Sequence, residues 1–574
     1  MAGIKDILFG AKNGMFASRS ALQIVSTNIE NAQTEGYTRQ TPLLSPLPPS
    51  QVGVLFEGAK RERFFFLEKR MHAELQFLKS FQSQKEIISQ VESLLSDSEG
   101  AGLLNAIDAF FNAYEELATN PENPSLRQNV VLKAQSMIAR FKELANSIVK
   151  IREDIDKQIS ENITEVNNIL TEIAGLNKKI AELSAAKENV NPLKDKRDLL
   201  IRKLSEFINI DTFEQDNGMI NVYIREGGHV LVDKDRAFSL KVEADPQNPS
   251  NPIDGSGKLL QKIKYIDGRG HIWDITPFII GGVIGGALKT RDETLVNVLA
   301  KINSLARQII KIVGERHAKG VGIAHFQSLT SKYSASDSFT PINFAGLPYT
   351  ASPGSLSIAI YDENGNLIST FTIFYDPSVD GIANIANFIN SAPENSGYIT
   401  AQITPDNKLK IQANSGFTFD IYNDTGGLSV ALGLDTLLVG KNVFDFDVAQ
   451  EFKENPLRVA SSSNPSAPFN NDIANLIAAL REEKINGSET IFDIYTRIQN
   501  EVGNNLSFIN TEFSAKELVV KTLEEQIQQR SGVSLDEEFI RIIEFQRAFE
   551  ASARIVRITD ELLLTILGLV GGGG

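Results

Sequence analysis

The chain has 574 residues, 57 Lys and Arg against 72 Asp and Glu, a net charge of -15 and no Cys. That length accommodates about three to five domains, and the lack of thiols excludes disulfides, thiolate metal sites and Cys nucleophiles. The acidic balance opposes binding to phosphate backbones, which requires clustered positive charge, so nucleic acid is not an expected partner.

In chain order, the first signal is a heptad seam. Ile4, Leu8, Ala11, Met15, Ser18, Leu22, Val25, Ile29 and Ala32 recur at alternating spacings of 4 and 3. This predicts a helix about 43 Å long with a single apolar stripe. Gly36 ends it, and Pro42, Pro46, Pro48 and Pro49 prevent its renewal. Residues 80–210 read as mostly helical, interrupted at Asn120-Pro121-Glu122-Asn123-Pro124, with Ser125 the expected N-cap. Ile159, Ile163, Val166, Leu170, Ile173, Leu176, Ile180 and Leu183 mark a long coiled-coil-like helix, which Asn191-Pro192 is expected to end.

From Asp211 the period changes to two. Ile220, Val222 and Ile224 alternate, Gly227-Gly228 turns, and Val230 to Val232 returns. The Gly-rich segment 281–286 reads as a backbone bend closing this small β region. Leu295, Val298, Ile302, Leu305, Ile309 and Ile312 restore a helix. A second β-rich stretch follows, in which Asn364-Gly365 between alternating runs signals a hairpin. Ala460 to Pro468 reads as a linker. Helix then dominates to the end, where Ile542, Phe545, Phe549, Ser552, Val556, Thr559, Leu563 and Ile566 repeat at 3 and 4 behind the acidic start Asp536-Glu537-Glu538.

A helix with one seam cannot bury its stripe alone, and the simplest partner for each terminal seam is the other. The expected architecture is therefore α+β multidomain: long terminal coiled-coil helices and a helical-bundle stalk with inserted β-rich domains. The terminal coiled-coil domain takes residues 1–60 and 525–574, and the stalk takes 61–208 with 287–334 and 450–524. One β domain takes 209–286, and an outer β-rich insert takes 335–449.

Catalytic and metal signatures are missing. The five histidines, His72, His229, His271, His317 and His325, form no H-E-x-x-H, and His317 and His325 flank a Gly-rich, loop-like stretch. Gly281 to Gly286 matches neither phosphate-loop pattern, and Asp362 to Asn366 lacks the closing Glu of a calcium loop. There is no G-x-S-x-G. No enzyme activity and no cofactor is expected. The longest apolar run, Pro277 to Leu288, falls short of the roughly 20 residues that span a bilayer. The N-terminal forty residues show no apolar core with a cleavage site, so the chain is expected to be cytoplasmic or exported without a cleaved signal.

Ser26-x-Asn28-Ile29-x-Asn31-x-x-Thr34-x-Gly36-Tyr37-x-Arg39-Gln40 resembles the N-terminal signature of the bacterial flagellar axial proteins of rod, hook and hook-associated type. At the other end, Ser531 to Glu538 followed by Phe545-Gln546-x-Ala548-Phe549-x-Ala551-Ser552-Ala553 is similar to the closing helix of the same family. The helical middle points to the hook-associated branch that joins hook to filament. It does so through Phe111 to Leu117 with Asn120-Pro121, Asp195-x-Arg197-Asp198-Leu199, and Gly285-Gly286-Ala287-Leu288 before Arg291.

The resemblance implies a structural protein that leaves through the flagellar type III export apparatus, with an export chaperone and no cleaved signal. It would act outside the cell, in the flagellum, without inserting in a membrane. It would form a homo-oligomeric ring between hook protein and a second junction protein. The resemblance further implies that the terminal helices build the inner tube. The assembly residues would be Ile4, Leu8, Met15, Leu22, Val25, Asn28, Ile29, Asn31, Gly36, Tyr37, Arg39 and Gln40, with Ile542, Phe545, Gln546, Phe549, Ser552, Val556, Leu563 and Ile566. The alternatives are another axial protein of the family and an adhesin-like module on the same scaffold.

Overall fold

The computed structural model describes residues 3–47, 53–96, 102–249, 259–485 and 487–571. Pro48, Pro49 and Gly572–Gly574 lie outside them. The fold is α+β and multidomain, with long helices and several small antiparallel sheets. Among the described residues no helix is long and apolar enough to cross a membrane, and no group of three or more His, Asp or Glu side chains could hold a metal.

Helix α1 (Ile4–Glu30) leads into a hairpin of β1 (Gln40–Pro46) and β2 (Val54–Arg61). Helices α2 (Phe65–Leu95), α3 (Leu103–Thr119), α4 (Pro124–Ala185) and α5 (Asn191–Phe207) follow. Helix α4 is 62 residues long, about 93 Å at 1.5 Å per residue. Its N-cap is Asn123, not Ser125: the Asn123 side chain accepts from the Ser125 N–H, and Pro124 fills the first turn. Asn191-Pro192 does not end α4. It opens α5, where a missing N–H costs nothing, while α4 stops at Ala185 with Lys187 at φ 61°.

Strands β3 (Ile210–Glu214), β4 (Ile220–Ile224), β5 (Val230–Asp233) and β6 (Arg236–Ala237) form one sheet, in sequence order. A second sheet holds β7 (Leu240–Pro249), β8 (Leu259–Ile266) and β9 (Ile272–Asp274). Helix α4 satisfies strand and turn backbone groups of both sheets. Asn177 bridges Ile220 and Lys234, Asn167 exchanges two 2.8 Å bonds with Leu240, and Asp156 accepts from the Gln261 N–H at 2.9 Å. These polar groups pin the β layer to the middle of the long helix.

The Gly-rich segment is not a bend. It is helix α6 (Gly282–Lys289), which continues towards α7 (Leu295–His317). A Cβ on Gly286 would overlap the Ser80 carbonyl of α2, and one on Gly282 would overlap the Phe207 backbone. Glycine is used here for close helix packing, so tertiary contact outweighs its poor helix propensity.

The second β-rich part contains β10 (Ser328–Thr330), β11 (Gly354–Asp362), β12 (Leu367–Tyr375), α8 (Ile382–Ser391), β13 (Ile399–Ile403), β14 (Leu409–Ala413) and β15 (Phe417–Tyr422). They form two sheets, β10-β14-β13 and β12-β11-β15. Asn364-Gly365 turns the β11–β12 hairpin, with Gly365 at φ 79°. Short elements α9 (Leu428–Leu432), β16 (Leu438–Val439), β17 (Asp447–Val448) and α10 (Gln450–Glu454) return the chain to α11 (Asp472–Ala478), α12 (Ile491–Ser531) and α13 (Leu535–Gly571).

Residues 460–468 are not a flexible linker. Ser461 and Ser462 are fully buried. The Arg127 guanidinium binds the Val459 carbonyl and the Ser461 hydroxyl, and Ser462 bridges Val321. His317 is not in a loop but at the buried end of α7. Its Nδ1 lies 3.1 Å from the Asp435 carbonyl, and its Nε2 accepts from the Ala460 N–H at 3.1 Å. Polar composition reads as linker in sequence; burial against distant groups converts it to a strap.

Candidate assembly interface

The two ends of the chain pair as antiparallel helices. Asn28 of α1 meets Glu538 of α13, and Gly14 meets Ser552, fourteen residues along each helix. A Cβ on Gly14 would lie 2.9 Å from Ser552 Oγ, so glycine permits the close approach. The seam residues fall along this contact. On α1, Val25 is buried and Ile4, Leu8, Met15, Leu22 and Ile29 are half-buried. On α13, Ile542, Phe545, Phe549, Ser552, Val556 and Leu563 are half-buried, Thr559 is buried, and Gln546 and Ile566 are exposed. A line of small residues beside the seam, Gly10, Ala17 and Ala21, is buried as well. Gly10 lies where the hairpin backbone at Gly53 comes closest. Sequence reasoning missed that line; its signal is small side chains at helical spacing.

Four motif residues form a buried polar latch between the helices. Asn28 is fully buried and uses its whole amide. Its Nδ2 donates to the Gln40 carbonyl at 2.8 Å and to Glu538 Oε2 at 2.9 Å. Its Oδ1 accepts from the Tyr37 hydroxyl at 2.8 Å and the Gln40 N–H at 3.0 Å. Arg39 Nε donates to Glu538 Oε1 at 2.8 Å, its Nη2 pairs with Glu537 at 2.7 Å, and its N–H donates to the Ser531 carbonyl at 3.0 Å. The Gln40 side-chain oxygen accepts from Asn191 at 2.9 Å, tying the latch to α5. Burial pushes the Tyr37 hydroxyl up to about 12, with Asp195 and Glu538 acting in the same direction, so it stays a proton donor.

Asn31 and Gly36 act locally. Asn31 donates to the Thr27 carbonyl at 2.9 Å and receives Thr34 at 3.2 Å, closing the last turn of α1. Gly36 takes φ 77° while packing on Leu199 of α5. Beside the latch, Arg61 of β2 pairs with Asp195 at 2.8 Å and Asp198 at 2.6 Å. Burial raises the Asp195 carboxyl against the pull of Arg61. Both chain connections between the terminal helices and the stalk, β2 to α2 and α12 to α13, thus meet at one charged hub, around a cleft of about 450 Å³ lined by Tyr37, Arg61, His72, Asp198 and Ser531. Sequence reasoning did not name Arg61, and it read Glu538 and Asn191 only as residues of a helix start and a helix end.

Pairing half-buries most of the seam and leaves large apolar side chains exposed on both helices. On α1 these are Ile7, beside the seam, and Phe9 and Phe16 on the opposite face, the last 63% exposed. On α13 they are Phe539, Ile540, Ile543, Ile555, Ile558, Leu562, Leu564 and Leu567. An apolar surface of this extent is more than an ordinary solvated helix face carries.

Comparison with known proteins gives a consistent family. Residues 88–327 match the family model described as flagellar hook-associated protein FlgK helical domain, and 525–569 match flagellar basal body rod FlgEFG protein C-terminal. Flagellar hook-associated protein 1 of Salmonella typhimurium is 24% identical over 600 residues, covering 99% of this chain and 100% of that protein. The proteins of that name from Escherichia coli and Bacillus subtilis are each 23% identical, covering 99% and 98% of this chain and 100% and 98% of their own length. The flagellar hook junction protein FlgK from Burkholderia pseudomallei shares the fold, with a TM-score of 0.53 and 18% identity over 81% of this chain and 100% of that one.

Proposed function

The chain belongs to the flagellar hook-associated protein 1 family, and from that premise we propose how it serves as a structural subunit of the hook–filament junction. The observation that carries the reading is the set of large apolar side chains still exposed on the terminal helix pair after its two helices have packed on each other. The pair is the assembly element, and neighbouring copies cover Phe16 and Ile543 rather than the seam. Each buried side chain of this size contributes about 1.5–3 kcal/mol, so a few such contacts suffice to drive association. The charged hub fixes the angle between the pair (residues 1–60 and 525–574) and the stalk (61–208, 287–334 and 450–524). The β layer at 209–286 and the insert at 335–449 face outward.

In this role the chain catalyses nothing. It assembles with other flagellar axial proteins as a ring of identical copies, with hook protein on one side and the second junction protein on the other. It reaches that place outside the cell through the type III export apparatus, escorted by a chaperone and without a cleaved signal.

The test replaces Phe16 or Ile543 by Asp. Both side chains are exposed in the monomer, so the variants are expected to fold, and recovery of the variant chain outside the cell checks that it is exported. Hooks lacking attached filaments support the reading; normal filament attachment in both variants refutes it.

A further inference from the structure

The outward faces of the two terminal helices carry heptad stripes of their own. On α1, Lys5, Phe9, Lys12, Phe16 and Arg19 recur at spacings of 4, 3, 4 and 3, and all five are exposed. On α13, Glu537, Ile540, Glu544, Arg547 and Ala551 recur at 3, 4, 3 and 4, and all five are exposed. This is the spacing that a second helix fills. The seam on which α1 and α13 meet lies on another face of each helix.

The stripes are opposite in charge where they start. Lys5, Lys12, Arg19 and Glu544 enter no ion pair among the described residues. Glu537 pairs with Arg39, yet its side chain stays 59% exposed. The acids of α1 are used locally: Asp6 accepts from the Gly3 N–H at 2.8 Å and Glu30 from the Ser26 hydroxyl at 3.0 Å.

These charges select what can cover α1. A second α1 laid antiparallel sets Lys5 against Arg19 and Lys12 against Lys12, and like charges in contact are costly. An antiparallel α13 with Glu544 on Lys12 sets Glu537 on Arg19, Ile540 on Phe16 and Arg547 over Phe9. That makes two ion pairs, one apolar pair and one cation–π contact. The α13 of the same chain cannot supply it. The contacts Asn28–Glu538 and Gly14–Ser552 place Lys12 level with Arg554, ten residues beyond Glu544, or about 15 Å along the helix. A neighbour held level would oppose Lys12 to Arg554 and Arg19 to Arg547. Two α13 helices could pair head to head, Glu544 on Arg547, but that leaves the α1 stripe bare and turns one copy against the other.

We propose that the outward stripe of α1 docks on the outward stripe of α13 in the next copy, staggered by ten residues from the pairing inside each chain. The contact rests on the assembly reading above and names its partner. It is heterologous, so it repeats from copy to copy in one direction, as a ring requires. The stagger inclines the helix pairs to the ring axis.

Charge reversal in the full-length chain tests it. Lys12→Glu and Glu544→Lys are each expected to lower the fraction of hooks that carry filaments, and Lys12→Glu/Glu544→Lys is expected to restore it. Within one chain the two residues are about 15 Å apart along the helices, so restoration comes from contact between copies. Recovery of each variant outside the cell checks export. Normal attachment with Lys12→Glu, or a double variant no better than the single ones, overturns the docking. Loss with Glu544→Lys alone overturns it in favour of paired α13 helices. If Phe16→Asp still leaves hooks bare in those cases, the stripe contact falls and the assembly reading stands.

Discussion

Glu538 lies 2.9 Å from the Asn28 amide although 510 residues separate them in the chain, and neither side chain is exposed to solvent. The carboxylate is held between that amide and the Arg39 guanidinium. A buried charge of this kind is tolerable only when every partner is in place. The two ends of the protein therefore specify each other through a polar contact as well as an apolar seam.

Removing the carboxylate should loosen the ends selectively. Glu538→Ala leaves Arg39 and Asn28 without their shared acceptor and is expected to cost about 3 kcal/mol. Glu538→Gln keeps one acceptor but turns its NH2 towards the other donor, and is expected to cost about 2 kcal/mol. Hydrogen exchange should report faster opening of α1 and α13 in that order, with α4 protection unchanged.

Two glycines in helices should respond oppositely to alanine. Gly175 in α4 has open space where a Cβ would stand, so Gly175→Ala is expected to stabilise by about 1 kcal/mol. At Gly286 a Cβ would overlap the Ser80 carbonyl, so Gly286→Ala is expected to destabilise by about 2–3 kcal/mol through overpacking. Urea unfolding of the two variants checks the opposite signs.

The histidines predict the acid limb of stability. Burial holds His317 down to about 4, with the Asp435 carbonyl opposing the shift, and burial does the same to His72. An unfolded histidine titrates near 6.5, so the unfolded chain binds more protons between the two values. Stability is full above pH about 6.5 and declines as pH falls towards 4, by up to about 3 kcal/mol per histidine. Melting temperature against pH should show this slope, and His317→Gln should reduce it.

The strap depends on a cation that meets only neutral acceptors. Arg127 donates to the Pro121 and Val459 carbonyls and to Ser461 Oγ, and burial draws its guanidinium down to about 10. Lysine cannot reproduce that planar fork. Arg127→Lys is expected to raise amide exchange across residues 459–468 by about tenfold, equivalent to about 1.4 kcal/mol, while β11 and β12 remain protected.

The seams, the strand alternation and the Asn364-Gly365 turn were legible in sequence because each is a local pattern whose physical cause lies within a few residues. Asn28, Tyr37, Arg39 and Gln40 could be singled out from residue type and family resemblance, yet their partners could not. Asn28 reaches Glu538, and Gln40 reaches Asn191 of α5, 151 residues away. Glu538 read as a charge suited to a helix start, a role any acid could fill. The segment Gly282–Gly286 read as a bend because its helix exists only through contacts with α2 and the end of α5. The Ser-rich stretch 460–468 read as a linker because Arg127 and His317, which bury it, are remote in sequence. The seam itself was legible, but that its two helices already pair within the chain, leaving other apolar side chains for neighbours, follows only from the packed helices.

The most direct test is a disulfide across the terminal pair in assembled junctions. Ser552 Cβ lies 3.7 Å from the position of a Cβ at Gly14, within the range for an unstrained disulfide. In Gly14→Cys/Ser552→Cys, oxidation of assembled particles should yield a single species of monomer mass, because α1 and α13 of one chain are partners. A dimer or a ladder of covalent oligomers would mean that each α13 pairs with the α1 of a neighbour, and would contradict the account of a self-paired end presenting its remaining apolar side chains.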